Sequence, residues 1–159
     1  MRFKLEEDDM TDKKETIEHP TGQLGWVLYD KDGNVKAEGL TMNQVQTAHK
    51  SKIADNMDSA PGVTPYAFMW VGSGALGGVG ATDLTTPIAG GRQAVTSSVA
   101  VAAVVTTIAT FAAGVGTGTL TEIGMFITNA GADMMCGATI GVTKGASDSL
   151  VATWAVTFT

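Results

Sequence analysis

From residue 94 to residue 121 the chain carries no charged side chain. A stretch like that must leave water, either as a helix in a bilayer or as strands in a packed sheet. A spanning helix needs about 20 mainly apolar residues. This segment has Thr or Ser at 96, 97, 98, 106, 107, 110, 117, 119 and 121, and Gly at 114, 116 and 118. Hydroxyls and glycines at that density suit strands joined by tight turns. The interleaved Val, Ile and Thr pack well on a pleated surface. Strands are therefore expected here, and no membrane span.

The C-terminal end agrees. Leu150, Ala152, Trp154, Val156 and Phe158 fall on one face of an extended chain, and Val151, Thr153, Ala155 and Thr157 on the other. That is period two over a whole strand. "YAFMWVGSG" reads as a strand ending in a glycine turn, "QAVTSSVAVAAVVTTIATFAAG" as two or more strands, and "LTEIGMFITNAG" as a strand into a turn. "DMMCGATIGVTKGASDSLVATWAVTFT" holds two more. Upstream, "LGWVLYDKDGNVKAEGL" (24–40) reads as a hairpin about Asp32-Gly33, with Leu24, Trp26 and Leu28 alternating onto one face. A calcium loop is a poor fit there, because Gly33 stands fourth from Asp30 and the twelfth position is Thr41. Residues 41–58 are the helix candidate. Thr41 is placed as N-cap, and Met42, Val45, His49, Ile53 and Met57 share a face. "SAPGVTP" at 59–65 then breaks the chain with two prolines.

These elements predict a mainly β protein, an antiparallel β-sandwich of jelly-roll or Ig-like type with one short helix. Residues 1–19 hold much of the charge and few apolar positions, so they read as an extended arm. Residues 20–159 form the single sandwich domain, with the main strands over 65–159. The net charge of −6 argues against a sequence-independent grip on nucleic acid. The lone Cys136 excludes an internal disulfide and sits in an apolar stretch, as an inert buried thiol does.

"WVGSGALGGVGATDL" (70–84) contains Gly72-x-Gly74-x-x-Gly77, the literal dinucleotide-binding pattern. That loop works only when a helix starts at the glycines and presents its free N–H groups to a pyrophosphate. Here Gly78, Gly80 and Pro87 interrupt any such helix, and no acidic residue follows where the ribose ligand belongs. The glycines are instead expected to supply positive φ in a wide turn. No HExxH, GxSxG or Walker loop occurs. His49, with no ligand partner four residues on, is expected to pack. Asp83, Asp133 and Asp148 stand beside turn residues and are expected to cap backbone. Glu122, inside an apolar segment, is expected to be hydrogen-bonded or ion-paired with Arg92 or Lys144 rather than to act as one half of an acid–base pair. No enzyme activity, cofactor or metal is expected.

Three stretches resemble a widespread group of tailed-bacteriophage virion structural proteins, of decoration or tail-fibre-like type. "FMWVGSGALGGVGATDLTTPIAGGR" is similar to that group's "GTG…A…TDT.L…R" turn, matched by Gly72, Gly74, Thr82, Asp83, Leu84 and Arg92. "LTEIGMF" resembles "ITE.GLF", matched by Thr121, Glu122, Gly124 and Phe126. "ATIGVTKGASDSLVATWAVTF" resembles a "K.A.DTLTVTW.ITF" ending, matched by Lys144, Asp148, Leu150, Trp154 and Phe158. Together with the hairpin the likeness covers about residues 24–159. The chain departs from it at Ser73, in an added glycine-rich insert and in the charged arm.

The resemblance implies a non-enzymatic virion component, assembled in the bacterial cytoplasm, whose partners are the major capsid protein or other virion proteins. A capsid decoration or cement protein on the outer shell is the first expectation. A neck, baseplate or fibre-base position is the alternative. A homo-oligomer, with a trimer favoured, is expected. Arg2, Lys4, Glu6, Glu7, Asp8 and Asp9 make the arm a candidate partner-binding segment. An alternative of another class is a carbohydrate- or receptor-binding sandwich, for which Trp70 and Tyr66 are the available aromatics.

Overall fold

The computed structural model describes residues 21–50 and 66–158. The chain is mainly β. Nine strands are arranged as β1 (Thr21–Tyr29), β2 (Val35–Met42), β3 (Gln44–Val45), β4 (Phe68–Gly72), β5 (Pro87–Val101), β6 (Val104–Phe111), β7 (Gly118–Phe126), β8 (Met134–Lys144) and β9 (Ser149–Thr157). They hydrogen-bond into one antiparallel sheet in the order β2-β1-β9-β6-β5-β4-β7-β8-β3. The sheet curls until its two ends approach. β2 faces β8, β3 lies against β1, and the Asn43 amide donates to Gly22 O at 2.9 Å.

Strand β5 makes the curl possible. Its first half pairs with β4 (Trp70 opposite Arg92) and its second half with β6 (Val99 opposite Thr106). A shift of register lies between Val95 and Ser97. A long strand with a bulge bends and twists, so it passes from one side of the core to the other.

The core fills the space inside the curl. Leu24 and Leu28 of β1, Phe111 of β6 and Leu150, Trp154 and Val156 of β9 meet Met69 and Val71 of β4, Ile123 and Met125 of β7, and Ile140 of β8. The C-terminal alternation is realised through β9: 150, 152, 154 and 156 are buried and 151, 153, 155 and 157 half-buried on the other face, while Phe158, past the strand's end, is half-buried and packs against the core. β1 and β9 thus contribute one face each, as the period-two pattern requires, whereas β7 is buried on both faces from Glu122 to Phe126.

The first hairpin closes on Asp30. Its carboxylate accepts the backbone amides of Asp32 and Asn34 at 2.9 Å each, and Gly33 takes φ +85. Those bonds are an Asx turn, the structural use of "DKDGN".

The helix expected over 41–58 is corrected at its start. Thr41 and Met42 pair with Leu24 and Gln23 and finish β2, and Gln44 and Val45 pair with Gly137 and Cys136. Extended pairing satisfies these backbones, so Thr41 is no cap. Helix begins only at residue 47, where the amides of His49 and Lys50 reach Gln46 O. Residues 51–58 of that expectation lie outside the described residues, as does the arm through residue 20. No helix among the described residues is long and apolar enough to cross a membrane.

Candidate functional site

The outer side of β4 and β7 carries the densest set of sequence-flagged residues. The glycine-rich loop after β4 folds back over these strands. Its anchor is Glu122 of β7, which is fully buried. Glu122 Oε1 accepts the backbone amides of Thr86 at 2.7 Å and Gly74 at 3.2 Å, and Oε2 accepts that of Thr85 at 3.0 Å. The neighbouring Thr121 hydroxyl donates to Gly74 O at 2.6 Å. One carboxylate thus holds both ends of the loop through charge-assisted bonds, which are about twice as strong as neutral ones.

This arrangement explains the glycines differently from the sequence reading. None of Gly72, Gly74 and Gly77 has positive φ. A β-carbon on Gly72 would lie 2.6 Å from Glu122 Oε1, and one on Gly74 2.8 Å from the same atom. Gly72 and Gly74 permit close approach to the carboxylate, and Gly77 permits close approach to Ala81; none of the three makes a left-handed turn. The expected ion pair of Glu122 is likewise replaced by backbone amides, since Arg92 and Lys144 are engaged elsewhere.

Arg92 on β5 lies between two rings. Its guanidinium carbon is 4.5 Å from the Trp70 ring centroid and 4.1 Å from that of Phe126. It donates to Gly131 O at 3.2 Å and stands 3.9 Å from the Asp133 carboxylate. Burial lowers its pKa, and Asp133 and Asp83 work against that. Leu84, Phe126 and Met134 form a second apolar cluster here, packed with Phe68, Trp70 and Leu76. Gly124 sits beneath it, where a β-carbon would meet Met134 Sδ at 2.7 Å. The Trp70 indole donates to Ile88 O at 2.7 Å. Asp83 accepts the Leu84 amide at 2.8 Å and Asp133 the Thr128 amide at 2.7 Å, both as expected of turn aspartates.

The third set lies at the β8–β9 turn. Asp148 accepts the Gly145 amide at 2.8 Å and the Lys36 ammonium at 2.7 Å, and the lysine bond heads the causes that hold its carboxyl below the usual range. Lys144 is buried and donates to Ala112 O at 2.9 Å, and burial lowers its pKa. Trp154 is in the main core.

Gly72, Gly74, Asp83, Arg92, Glu122, Gly124 and Phe126 therefore come together, whereas Lys144, Asp148 and Trp154 do not join them. Sequence reasoning missed Thr85 and Thr86, which act through backbone amides that carry no residue-type signal. It also missed the Trp70–Arg92–Phe126 stack, whose members are far apart in sequence.

Both Glu122 oxygens accept backbone amides. His49 is buried beside the Tyr66 hydroxyl, 2.6 Å from Nδ1, and Cys136 Sγ at 3.5 Å. Burial pushes the imidazole down to about 4 and the thiol up to about 12, which leaves both neutral near pH 7. Among the described residues no group of three or more His, Cys, Asp or Glu is placed to hold a metal ion. Compared with known proteins, the chain matches no family model, no curated protein and no solved structure.

Proposed function

We propose that this chain is a non-enzymatic structural component of a tailed-phage virion, a decoration or cement protein on the outer capsid shell that acts as a homo-oligomer. A neck, baseplate or fibre-base position is the alternative. The observation that carries the reading is the use to which the residues of the resemblance are put. Gly72, Gly74, Glu122, Arg92, Gly124 and Phe126 fasten a loop to a sheet. A side chain spent on a backbone amide or between two rings is spent on holding shape, which is what an assembly part requires. In the same reading the curled sheet is a flattened sandwich, with β2, β1, β9 and β6 as one leaf and β4, β7, β8 and β3 as the other, joined by β5.

The carbohydrate-binding alternative draws less support. The Trp70 indole is stacked on Arg92 and bonded to Ile88, and the Tyr66 hydroxyl is engaged by His49. Stacking on a sugar ring would compete with those contacts.

The test is the copy number of this chain in purified particles, by quantitative mass spectrometry against the major capsid protein. A simple ratio to the capsid subunit is expected of a shell protein. A copy number far below it would move the chain to the neck, baseplate or fibres. Absence from particles would overturn the reading.

A further inference from the structure

Gly25 is a glycine that the fold does not require. Its φ is not positive, and a β-carbon there would meet only Leu40 Cδ1 at 3.8 Å and Thr153 O at 3.9 Å, ordinary contact distances. The missing side chain leaves a shallow hollow of about 460 Å³ on the outer face of β2, β1 and β9. The registers set its walls: Leu40 and Thr153 stand opposite Gly25, and Glu38 and Val151 stand opposite Val27, the next residue on that face.

The walls are apolar except for Thr153 and one carboxylate. Glu38 is exposed at the rim and has no hydrogen-bond or ion-pair partner among the described residues. Lys36, two residues back, is taken by Asp148 at 2.7 Å. The hollow therefore suits a segment that brings an apolar side chain and a cation together.

We propose that the start of this chain, Met1-Arg2-Phe3-Lys4-Leu5, docks in the hollow of its own sheet, with Phe3 over Gly25 and Lys4 paired with Glu38. Three arguments choose that segment. The first is charge. Arg2 and Lys4 alternate with Met1, Phe3 and Leu5, and residues 1–5 contain no acid, whereas residues 6–9 are all acidic. The second is reach. The hollow lies four to six residues along β1 from Thr21, about 13–20 Å at about 3.3 Å per residue. Residues 6–20 supply the tether, and a chain of that length has an r.m.s. span of about 20 Å, the match at which a tethered site is filled most effectively. The third is shape. This face is the convex outside of the curled sheet, which a single extended segment follows and a second rigid sheet does not.

Residues 51–65, the other long stretch outside the described residues, fit the hollow less well. They carry Lys52 against Asp55 and Asp58, a net negative charge to set beside Glu38. His49 and Tyr66, on either side of that stretch, touch each other beside Phe158, past the end of β9. The stretch would have to reach the hollow and return.

The inference is independent of the virion reading, since it is tested on the purified full chain. A zero-length carbodiimide reagent joins a carboxylate only to an amine in contact with it. It should link Lys4 to Glu38, read by mass spectrometry of the digested chain. In an equal mixture of isotope-labelled and unlabelled chain, the link should join peptides of the same label. Trypsin should cleave after Lys4 about two- to fivefold faster in Glu38→Gln, the weight of an exposed ion pair. It should also cleave there faster in Gly25→Val, whose branched side chain fills the hollow. Cleavage after Lys14 and the circular dichroism spectrum should be unchanged in both variants. A link from Glu38 to Lys52, a link between labelled and unlabelled chains, no link at all, or equal cleavage after Lys4 in the three proteins would each overturn it.

Discussion

The amide nitrogen of Gly74 lies 3.2 Å from Glu122 Oε1, and a β-carbon on the same glycine would lie 2.8 Å from that oxygen. The two residues are 48 positions apart, and each makes sense of the other. The carboxylate needs backbone amides to be buried at all, and the backbone comes close enough only because residue 74 has no side chain.

Removing the carboxylate tests this directly. Glu122→Ala removes the charged acceptor of three part-buried amide bonds, and since a hydrogen bond to a charged group contributes about 1.5–3 kcal/mol, a loss of about 3–5 kcal/mol is expected once water replaces part of it. Urea denaturation measures it. Glu122→Gln keeps one acceptor oxygen and should lose less. A loss below that of an ordinary surface substitution would mean the latch does not hold the loop.

The glycines separate into two kinds. Gly74→Ala should cost about 1–3 kcal/mol, because the added methyl group runs into Glu122 and the Thr86 backbone. Gly78→Ala meets nothing within 4 Å and has no positive φ, so it should be neutral or stabilising by up to about 1 kcal/mol. Equal effects at the two positions would contradict the close-approach explanation.

The buried imidazole of His49 sets a pH dependence. Its folded pKa is lowered from 6.5 to about 4 by burial. Between those values the unfolded chain binds a proton at this position that the folded chain refuses. Stability should therefore fall as pH drops through 6.5 towards 4, and this contribution should be flat above 6.5. His49→Gln should remove that slope, which denaturation midpoints across the window would reveal. An unchanged slope would place the titrating group elsewhere.

The β5–β6 hairpin turns on Ala102, which takes φ +51, the one non-glycine residue with positive φ among those described. With Val101 opposite Val104, Ala102 is the first of two central residues, the position where a type II′ turn favours glycine. Ala102→Gly should raise stability by about 0.5–1 kcal/mol, the left-handed strain on alanine less the added freedom of the unfolded chain. Calorimetric melting temperature is the readout, and a decrease would mean that the turn is unstrained.

The strands β1 and β9 were readable because each buries one face. Trp154 and Leu150 sit where alternation alone puts them, and the turn at Asp30 follows from residue types within five positions. The stretch from Thr41 to Val45 was misread for a related reason. Met42, Val45 and His49 are spaced as a helix face, but strand pairing with Leu24 and Cys136 outweighs that local preference. The loop glycines were misread because a sequence shows that glycine is needed and not whether the need is a dihedral angle or a neighbour.

By itself the sequence determined that the chain is mainly β, which faces of β1 and β9 turn inward, and that Asp83, Asp133 and Asp148 sit at turns. These depend on residues close together along the chain. Only the tertiary structure decided that β9 lies between β1 and β6, that Glu122 binds amides instead of Arg92, and that Arg92 lies between Trp70 and Phe126. Each of those depends on which distant segments the curl of the sheet brings within a few ångströms. That curl is a collective outcome of strand twist and of packing around one core.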